Sequence, residues 1–313
     1  MIKIGGVSID VSHPKGFSLE MEKHCMDMKY EYICKESFRS DAEAEWFKNR
    51  FALAGISDSI EDMAQKVDIG FVQSCNWEKH LDQAMPFIEK GKSVFIDKPI
   101  VGSVKDIERL RELVKNGADI IGSSSARYAR EIRDFKAKSK EEVGEIVSIY
   151  ATCGLDEFNY GIHVVEIISE LAGAHGKSCR FVGRTNTEVP CEIYNIEFEN
   201  GIMGTYHLTH GVWQPFHVTV MTTKGTYSFD IDVGSIYKSL LCEIYNRKMG
   251  RENNLTDIET LINCTQIMLC GKKSRDELGG ANVTIDSLGI GDKYDGYEFE
   301  AEYAKTAADI YKE

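Results

Sequence analysis

The stretch Ser93-Val94-Phe95-Ile96-Asp97-Lys98-Pro99 decides the fold class of this chain. Four residues with strand character lead into an acid, a lysine and a proline, and a helical pattern follows. In an open parallel α/β sheet, ligands bind in the crevice beyond the carboxyl ends of the strands. Because proline keeps the preceding residue extended, the sequence predicts that Lys98 faces a ligand in that crevice. For a Lys-Pro pair taken alone, the alternative is an ordinary turn with a solvated lysine.

Residues 1–122 repeat this alternation of short apolar runs and amphipathic segments. Strands that alternate with helical patterns are typical of βαβ units and a parallel sheet. The sequence therefore predicts a Rossmann-type, doubly wound nucleotide-binding domain over residues 1–122. The predicted strands are Ile2–Ile9, Lys29–Cys34, Asp68–Gln73, Ser93–Ile96 and Asp119–Gly122, with helical patterns near residues 41–53, 59–66, 78–90 and 104–116.

From Ser123 onward the chain has longer alternating segments separated by glycine-containing turns, a pattern typical of antiparallel sheets. The sequence predicts an α+β domain over residues 123–313, built on a large antiparallel sheet. Its predicted strands are Glu145–Thr152, Cys191–Glu199, Met203–Leu208, His217–Thr222 and Thr226–Asp232, and its predicted helices are Arg127–Lys138, Glu157–Leu171 and Asp257–Leu269.

Composition excludes several classes of function. The net charge of -13 over 313 residues argues against binding to nucleic acid, which requires clustered basic residues. No apolar stretch approaches the roughly 20 residues of a membrane span, and the chain starts directly with a strand pattern rather than a signal peptide. Nine cysteines are scattered without a Cys-x-x-Cys pair, which favours neither disulfides nor zinc. We expect a reduced, cytoplasmic protein with no nucleic-acid or membrane partner.

Several short fragments, each weak alone, form a set through their order and spacing. They are Asp68–Val72 followed by Asn76 and His80, Asp97-Lys98-Pro99, Gly161-Ile162-His163, and the turns Glu199–Gly204 and Thr223–Gly225. Over nearly the whole chain this order resembles the Gfo/Idh/MocA family of sugar and polyol oxidoreductases, with Asp97 in place of the glutamate in the family's Glu-Lys-Pro signature. The resemblance implies an NAD(P)-dependent oxidoreductase acting on a hydroxyl or keto group of a sugar, inositol or sugar acid. It also implies a homo-oligomer formed through the C-terminal sheet.

The first loop departs from the family. The dinucleotide fingerprint Gly-x-Gly-x-x-Gly, whose glycines allow the backbone to approach a pyrophosphate at a helix N-terminus, is replaced by the sequence from Gly5 to Gly16. Serine hydroxyls and the amides near Pro14 are candidates to replace it, and the alternative is a loop that holds no nucleotide. The cofactor-binding residues predicted here and from the resemblance are Gly6, Ser8, Ser12, His13, Ser74, Asn76, His80, Asp97 and Lys98.

The end of the second predicted strand bears on the choice between NAD and NADP. Enzymes that prefer NAD usually carry an acid there for the ribose hydroxyls. This chain has Cys34-Lys35-Glu36-Ser37 there, with Arg39 close behind; Lys35 and Arg39 are its basic residues. Both carry the positive charge that suits a 2′-phosphate. The sequence therefore leans toward NADP, with a solvated turn as the alternative.

The second departure concerns catalysis. Where the family's dehydrogenases have an aspartate four residues before the histidine, this chain has Asn159. In a helix, that spacing places Asn159 on the same face as His163, with Glu166 and Glu170 in the same arc. Without the resemblance, an ordinary helix with a solvated polar face would explain the pattern. With it, we expect His163 to be the base, Lys98 to stabilise the alkoxide and Asn159 to orient the substrate.

Substrate contacts are predicted around the same helix and after the last Rossmann strand. His207 and His210 are three apart on a strand, so their side chains diverge, and no metal site is expected. The predicted substrate-binding residues are Arg127, Tyr128, Asp156, Tyr160 and Trp213.

Two other functions remain open on the sequence. Some proteins of this fold oxidise a sugar transiently with bound NAD, eliminate or hydrolyse, and then reduce it again. Others sense sugars without catalysis. The altered loop and Asn159 favour the sensing alternative, whereas Lys98 and His163 favour a dehydrogenase.

Overall fold

The computed structural model describes residues 1–312, which form two compact units. The first contains Met1–Ser123, Leu240–Ile258 and the segment that starts at Asp295, and the second contains Ser124–Ser239 and Glu259–Tyr294. The first unit is therefore discontinuous in sequence, since two later segments return to it.

The first unit is built on six parallel strands in the order β3-β2-β1-β4-β5-β6. This is the order of a doubly wound Rossmann sheet, and it confirms the predicted fold class. The strands are β1 (Ile2–Val7), β2 (Met28–Cys34), β3 (Gly55–Ile56), β4 (Ile69–Val72), β5 (Ser93–Ile96) and β6 (Ile120–Gly122).

The central strands β4 and β5 are buried at every position. Strands covered by helices on both faces read as continuous apolar runs, and Phe71 and Phe95 pack with ring centroids 5.0 Å apart. Gly70 is required by this packing, because a Cβ there would lie 2.6 Å from the ring of Phe87. The helices that follow the strands are α1 (His13–Lys23), α2 (Asp41–Arg50), α3 (Ile60–Lys66), α4 (His80–Glu89) and α5 (Val104–Lys115).

The second unit contains a seven-stranded sheet in the order β12-β11-β7-β10-β9-β8-β13. Its neighbouring strands are antiparallel except for β7 and β10, which are parallel, so the predicted antiparallel sheet is confirmed with one parallel pair. The strands are β7 (Ile146–Cys153), β8 (Gly176–Arg184), β9 (Cys191–Phe198), β10 (Met203–Thr209), β11 (His217–Thr222), β12 (Thr226–Asp230) and β13 (Val283–Thr284). The helices are α6 (Arg130–Lys136), α7 (Lys140–Val143), α8 (Gly161–Ala172) and α10 (Ile258–Asp276). Helix α9 (Ile236–Lys248) precedes α10 in the sequence and belongs to the first unit from Leu240 onward.

Strand β9 shows how this sheet is packed. Its residues alternate between buried and half-buried positions, with Tyr194, Ile196 and Phe198 in the core. Helix α10 lies against this buried side, where the amide of Asn263 pairs with the main chain of Gly176 at 2.8 Å in both directions. The assembly of subunits through the other face stays a prediction.

The predicted helix over Glu157–Leu171 starts too early. Helix α8 begins at Gly161, because the Asp156 carboxylate accepts the main-chain N–H groups of Asn159 and Tyr160 at 2.7 and 3.2 Å and holds a turn before it. Among the described helices, none combines the length and the apolar character that a membrane span requires.

Two segments return the chain to the first unit. The last residues of α9 contact the amino ends of its strands, where Arg247 pairs with Asp119 at 2.5 Å and Lys248 donates to the carbonyl of Asp68 at 3.2 Å. Helix α11 (Gly296–Thr306) follows Asp295, whose carboxylate caps it by accepting the N–H of Glu298 at 2.9 Å.

Candidate functional site

The loops after β1, β2, β4 and β5 of the first unit define what we call the carboxyl edge. Strand β1 lies between β2 and β4, so the chain leaves the centre of the sheet in both directions from here. In this fold the point where the strand order reverses is where ligands bind. Most of the predicted cofactor-binding residues lie on this edge.

Asp97 joins two of these loops. It is buried at the end of β5, accepts the N–H of Lys98 at 2.8 Å and hydrogen-bonds to Nδ1 of His13 in the first loop. Burial alone would raise the pKa of Asp97, but the charge and hydrogen bond of His13, together with Lys98, hold it below its ordinary value. Asp97 is therefore a carboxylate at neutral pH that fixes the main chain of Lys98.

The loop after β1 is closed by its own polar groups. Ser8 has a positive φ of 70° and its hydroxyl accepts the N–H of Asp10 at 3.1 Å. The buried Asp10 carboxylate accepts the N–H of Cys75 at 3.0 Å and a hydrogen bond from the hydroxyl of Ser37. Ser12 is the N-cap residue of α1 without a side-chain cap. Side-chain hydrogen bonds of serine and aspartate therefore hold this loop in shape.

Three predicted cofactor residues lie in the loop after β4 and at the start of α4. His80 is fully buried, with its ring nitrogens 2.9 Å from the carbonyl oxygen of Ser74 and 3.2 Å from that of Ile100. Burial lowers the pKa of His80, and a neutral imidazole has a single N–H, so it donates to one of these two carbonyl oxygens. The hydroxyl of Ser74 donates to Gln83 at 2.5 Å, and the Asn76 side chain accepts the N–H of Glu78 at 3.0 Å.

The two basic residues after β2 differ in environment. Lys35 is partly exposed and forms an ion pair with the exposed Asp41. Arg39 is buried, and its Nε and one terminal nitrogen donate to the carbonyl oxygen of Asp10 at 3.2 and 2.9 Å, while the other contacts Glu43 at 3.1 Å. The solvated-turn alternative is therefore wrong for Arg39.

In the second unit, His163 is buried and oriented. Its Nδ1 hydrogen-bonds to the hydroxyl of Ser124, and the N–H of Ser124 is shared between the two carboxylate oxygens of Glu166, each at 3.0 Å. His163 and Glu166 are 6% and 2% exposed, so the solvated-face alternative is wrong for both. Sequence reasoning missed Ser124, although it follows the last Rossmann strand in a run of three serines.

An aromatic cluster surrounds His163. Tyr160 and Phe216 lie 5.9 and 5.1 Å from its ring, and Trp213 lies 6.1 Å from Tyr160. Tyr160 and Trp213 were predicted substrate residues, whereas Phe216 was not recognised because its surroundings in the sequence show no motif. The cluster leaves Trp213 47% exposed, which makes its ring accessible to a ligand.

Asn159 lies in the turn before α8 rather than on the helix. Its side-chain nitrogen is 3.3 Å from the Asp156 carboxylate, so the two residues form a pair. This pair precedes Tyr160 directly and places an acid and an amide beside the aromatic cluster.

Arg127 and Tyr128 lie in a buried 3-10 turn over Ser125–Tyr128. Arg127 donates to the carbonyl oxygen of Glu166 at 3.1 Å and pairs with Glu170 at 2.8 Å. Its guanidinium therefore ties the turn to α8.

Comparisons with known proteins agree with this architecture. Residues 21–124 match the model of the Gfo/Idh/MocA family, described as an oxidoreductase family with an NAD-binding Rossmann fold. This match covers less than half of the chain and lies within the part that folds as a Rossmann sheet. It agrees with the resemblance seen in the motif order. A sequence comparison with the curated proteins finds no match.

Solved structures extend the likeness to most of the chain. A scyllo-inositol dehydrogenase from Lactobacillus casei with bound NAD(H) and scyllo-inositol is similar with a TM-score of 0.73 and 17% identity, over 92% of this chain and 100% of that one. A myo-inositol dehydrogenase from the same organism, in complex with NAD(H) and myo-inositol, has a TM-score of 0.77 and 13% identity over 92% and 98% of the two chains. A myo-inositol 2-dehydrogenase from Lactobacillus plantarum has a TM-score of 0.77 and 11% identity over 90% and 99%. At these identities the likeness is one of fold.

Proposed function

We propose that the protein is a nicotinamide-dependent oxidoreductase that transfers a hydride between the cofactor and a hydroxyl-bearing carbon of an inositol, polyol or sugar acid. The observation that carries the proposal is the buried His163, whose imidazole is oriented by the hydroxyl of Ser124. The family match and the inositol dehydrogenases of the same fold support the reaction class.

Removing a hydride from an alcohol carbon requires the hydroxyl proton to leave, so a base must lie within hydrogen-bond reach of that oxygen. The ordinary pKa of histidine, about 6.5, suits this role near neutral pH. If Nδ1–H of His163 donates to the Ser124 hydroxyl, Nε2 is the nitrogen that would accept the substrate's hydroxyl proton. Glu166 would favour this arrangement by holding the main chain of Ser124 in place.

Lys98 and Asn159 complete the proposed roles. The ammonium of Lys98, on a main chain fixed by Asp97, stabilises the negative charge that develops on the substrate oxygen. Asn159 orients a substrate hydroxyl, but its amide cannot accept a proton as a carboxylate would. The carboxylate in this turn belongs to its hydrogen-bond partner Asp156. Tyr160 and Trp213 offer the aromatic surface against which the ring of a polyol packs.

When bound, the dinucleotide supplies the hydride acceptor or donor. The polar groups of the carboxyl edge fit its phosphates and riboses: the amides at the start of α1, the side chain of Asn76, and the cationic Lys35. The lean toward NADP now rests on Lys35, whose exposed partner Asp41 a 2′-phosphate would replace, because Arg39 donates twice to the carbonyl oxygen of Asp10.

One observation favours a second candidate, a sensing protein without catalysis. The buried Asp10 carboxylate lies in the loop where the family has its fingerprint, and a fixed negative charge disfavours a pyrophosphate there. Such a protein would bind a polyol in the second unit without turning it over.

The deciding experiment is a titration with NADH and NADPH followed by nicotinamide fluorescence, and then a screen of inositols and polyols for turnover. We expect saturable binding and turnover that His163→Asn lowers by more than 100-fold. Ser124→Ala should lower kcat more than tenfold and shift the pH profile, and Ser124→Thr should restore both. Failure of all forms, including the variants of the next subsection, to bind either dinucleotide would refute the proposal, and polyol binding without turnover would support the sensing protein.

A further inference from the structure

The C-terminal segment from Asp295 to Lys312, which we call the strap, lies along the carboxyl edge of its own unit. Its helix α11 contacts the loop after β4. There Asn76 donates to the Glu300 carboxylate at 3.0 Å, Lys79 contacts both Glu300 oxygens at 2.7 and 2.8 Å, and Phe299 packs on Trp77 with centroids 5.0 Å apart.

Beyond α11 the strap continues toward the loops after β2 and β1. The ring of Tyr303 lies 6.1 Å from that of Phe38, and Arg39 donates to the carbonyl oxygen of Ala308 at 2.9 Å. The buried Tyr311 then donates its hydroxyl proton to the carbonyl oxygen of Val11 at 2.9 Å. The strap therefore touches the ends of three strands in the order β4, β2, β1.

A dinucleotide in this fold crosses the same places. The crevice at the carboxyl ends of β1 and β4 is the binding site, the pyrophosphate faces the N-terminus of α1, and the adenosine ribose lies at the end of β2. The strap and a dinucleotide would thus compete for one path over the edge.

The chemistry of the contacts matches this competition. Three cations of the edge each donate to an oxygen of the strap: Lys79 to the Glu300 carboxylate, Arg39 to the Ala308 carbonyl, and Lys15 to the Ile310 carbonyl at 2.6 Å. Oxygens of a phosphate or ribose are the natural replacements for these acceptors. The strap therefore occupies the polar groups that an anionic cofactor needs.

The closed strap also contains a built-in repulsion. The Glu300 carboxylate, the Asp10 carboxylate and the Cys75 sulfur each have an atom within 4.8 Å of the others. The two carboxylates are like charges and repel at this distance, so Glu300 depends on its donors Lys79 and Asn76 to stay in place. A cofactor phosphate that attracted Lys79 would weaken that hold.

We propose that the strap is an autoinhibitory element that must leave the carboxyl edge before a dinucleotide binds, an inference that rests on the proposed function. The apparent dissociation constant then equals the intrinsic one divided by the fraction of molecules with an open strap. Variants that weaken the strap should bind dinucleotide more tightly than the wild type.

The test uses the full chain with two strap variants and one control. Glu300→Gln removes the ion pair with Lys79, and Phe299→Ala removes the packing on Trp77 without changing any charge. The matched control is Glu302→Gln, since Glu302 is on the same helix, is exposed, and pairs with Lys305 on that helix. Binding of NADH and NADPH is measured by nicotinamide fluorescence, and opening by hydrogen exchange of residues 296–306 with and without dinucleotide.

We expect both strap variants to lower the dissociation constant about tenfold or more relative to the wild type and to Glu302→Gln, and dinucleotide to accelerate exchange in α11. Tighter binding by Glu300→Gln alone would be explained by simple charge repulsion and would overturn the autoinhibitory role of the strap. Equal affinity in all four proteins would also overturn that role, but it would leave the proposed function intact. No binding by any of them would overturn both. Circular dichroism confirms that each variant is folded before it is counted.

Discussion

Replacing Asp97 by asparagine tests the contact that joins the loops after β1 and β5. The carboxylate is buried, accepts the N–H of Lys98 at 2.8 Å and pairs with His13. Hydrogen bonds to a charged group contribute about 1.5–3 kcal/mol each. Asparagine keeps the volume and one acceptor oxygen but not the charge, so we expect Asp97→Asn to lose about 2–3 kcal/mol of unfolding free energy at pH 7.

The sign of the pH dependence follows from the depressed pKa of Asp97. In the unfolded chain this carboxyl titrates near its ordinary value of 3.8, and in the folded protein it titrates lower. Its ionised form therefore contributes stability that is complete above about pH 5 and is lost as the pH falls through the folded-state pKa. The difference in stability between the wild type and Asp97→Asn should accordingly shrink in acid.

The assay is urea unfolding of both proteins at pH 7 and at pH values below 4, with Asp41→Asn as the control. Asp41 has a side chain that is 92% exposed and pairs with Lys35 at the surface, so its replacement should change stability little. A loss below about 0.5 kcal/mol at pH 7, the range of ordinary surface substitutions, would refute the reasoning. So would a loss that stays constant with pH.

Two further predictions concern titrating groups. Burial lowers the pKa of His80 from its ordinary 6.5, so below that pH His80 binds a proton more readily in the unfolded chain than in the folded protein. Stability should therefore fall as the pH drops from 7 to 5. In urea unfolding, His80→Gln should reduce this dependence of stability on pH. Asn159→Asp would place a second carboxylate beside that of Asp156, where the present nitrogen lies 3.3 Å from it. Because paired carboxylates share a proton, the rate of turnover should depend on pH between 4 and 7 more steeply in the variant, and parallel pH–rate profiles would contradict this.

The Rossmann sheet could be predicted because its signals are local. The fully buried strands β4 and β5 appear in the sequence as continuous apolar runs, and the serine caps before α2 and α5 mark where helices begin. Strand β8 was missed for an equally local reason: its exposed positions include Lys177, Arg180 and Arg184, and glycines lie at both ends of the run. Pairing with β9 and β13 makes this segment a strand.

Helix α11 carried a signal that was not used. Asp295 and Glu298 have the spacing of a helix N-terminus, and the Asp295 carboxylate does accept the N–H of Glu298. What the sequence could not contain is where the helix packs, since Asn76 and Glu300 are separated by 224 positions. Likewise, spacing alone placed Asn159 on α8, whereas the side chain of Asp156 ends the turn before the helix begins.

The strap contacts residues that the sequence assigned to the cofactor. Arg39 and Asn76 lie on the edge where the motif order predicts a dinucleotide, yet each donates to an oxygen of the chain's own C-terminal segment. Competition between the strap and a dinucleotide explains these contacts. The same donors stabilise the closed strap and, in the proposal, would hold the phosphates once Glu300 leaves. The altered first loop is part of the same contact, because the hydroxyl of Tyr311 donates to the carbonyl oxygen of Val11.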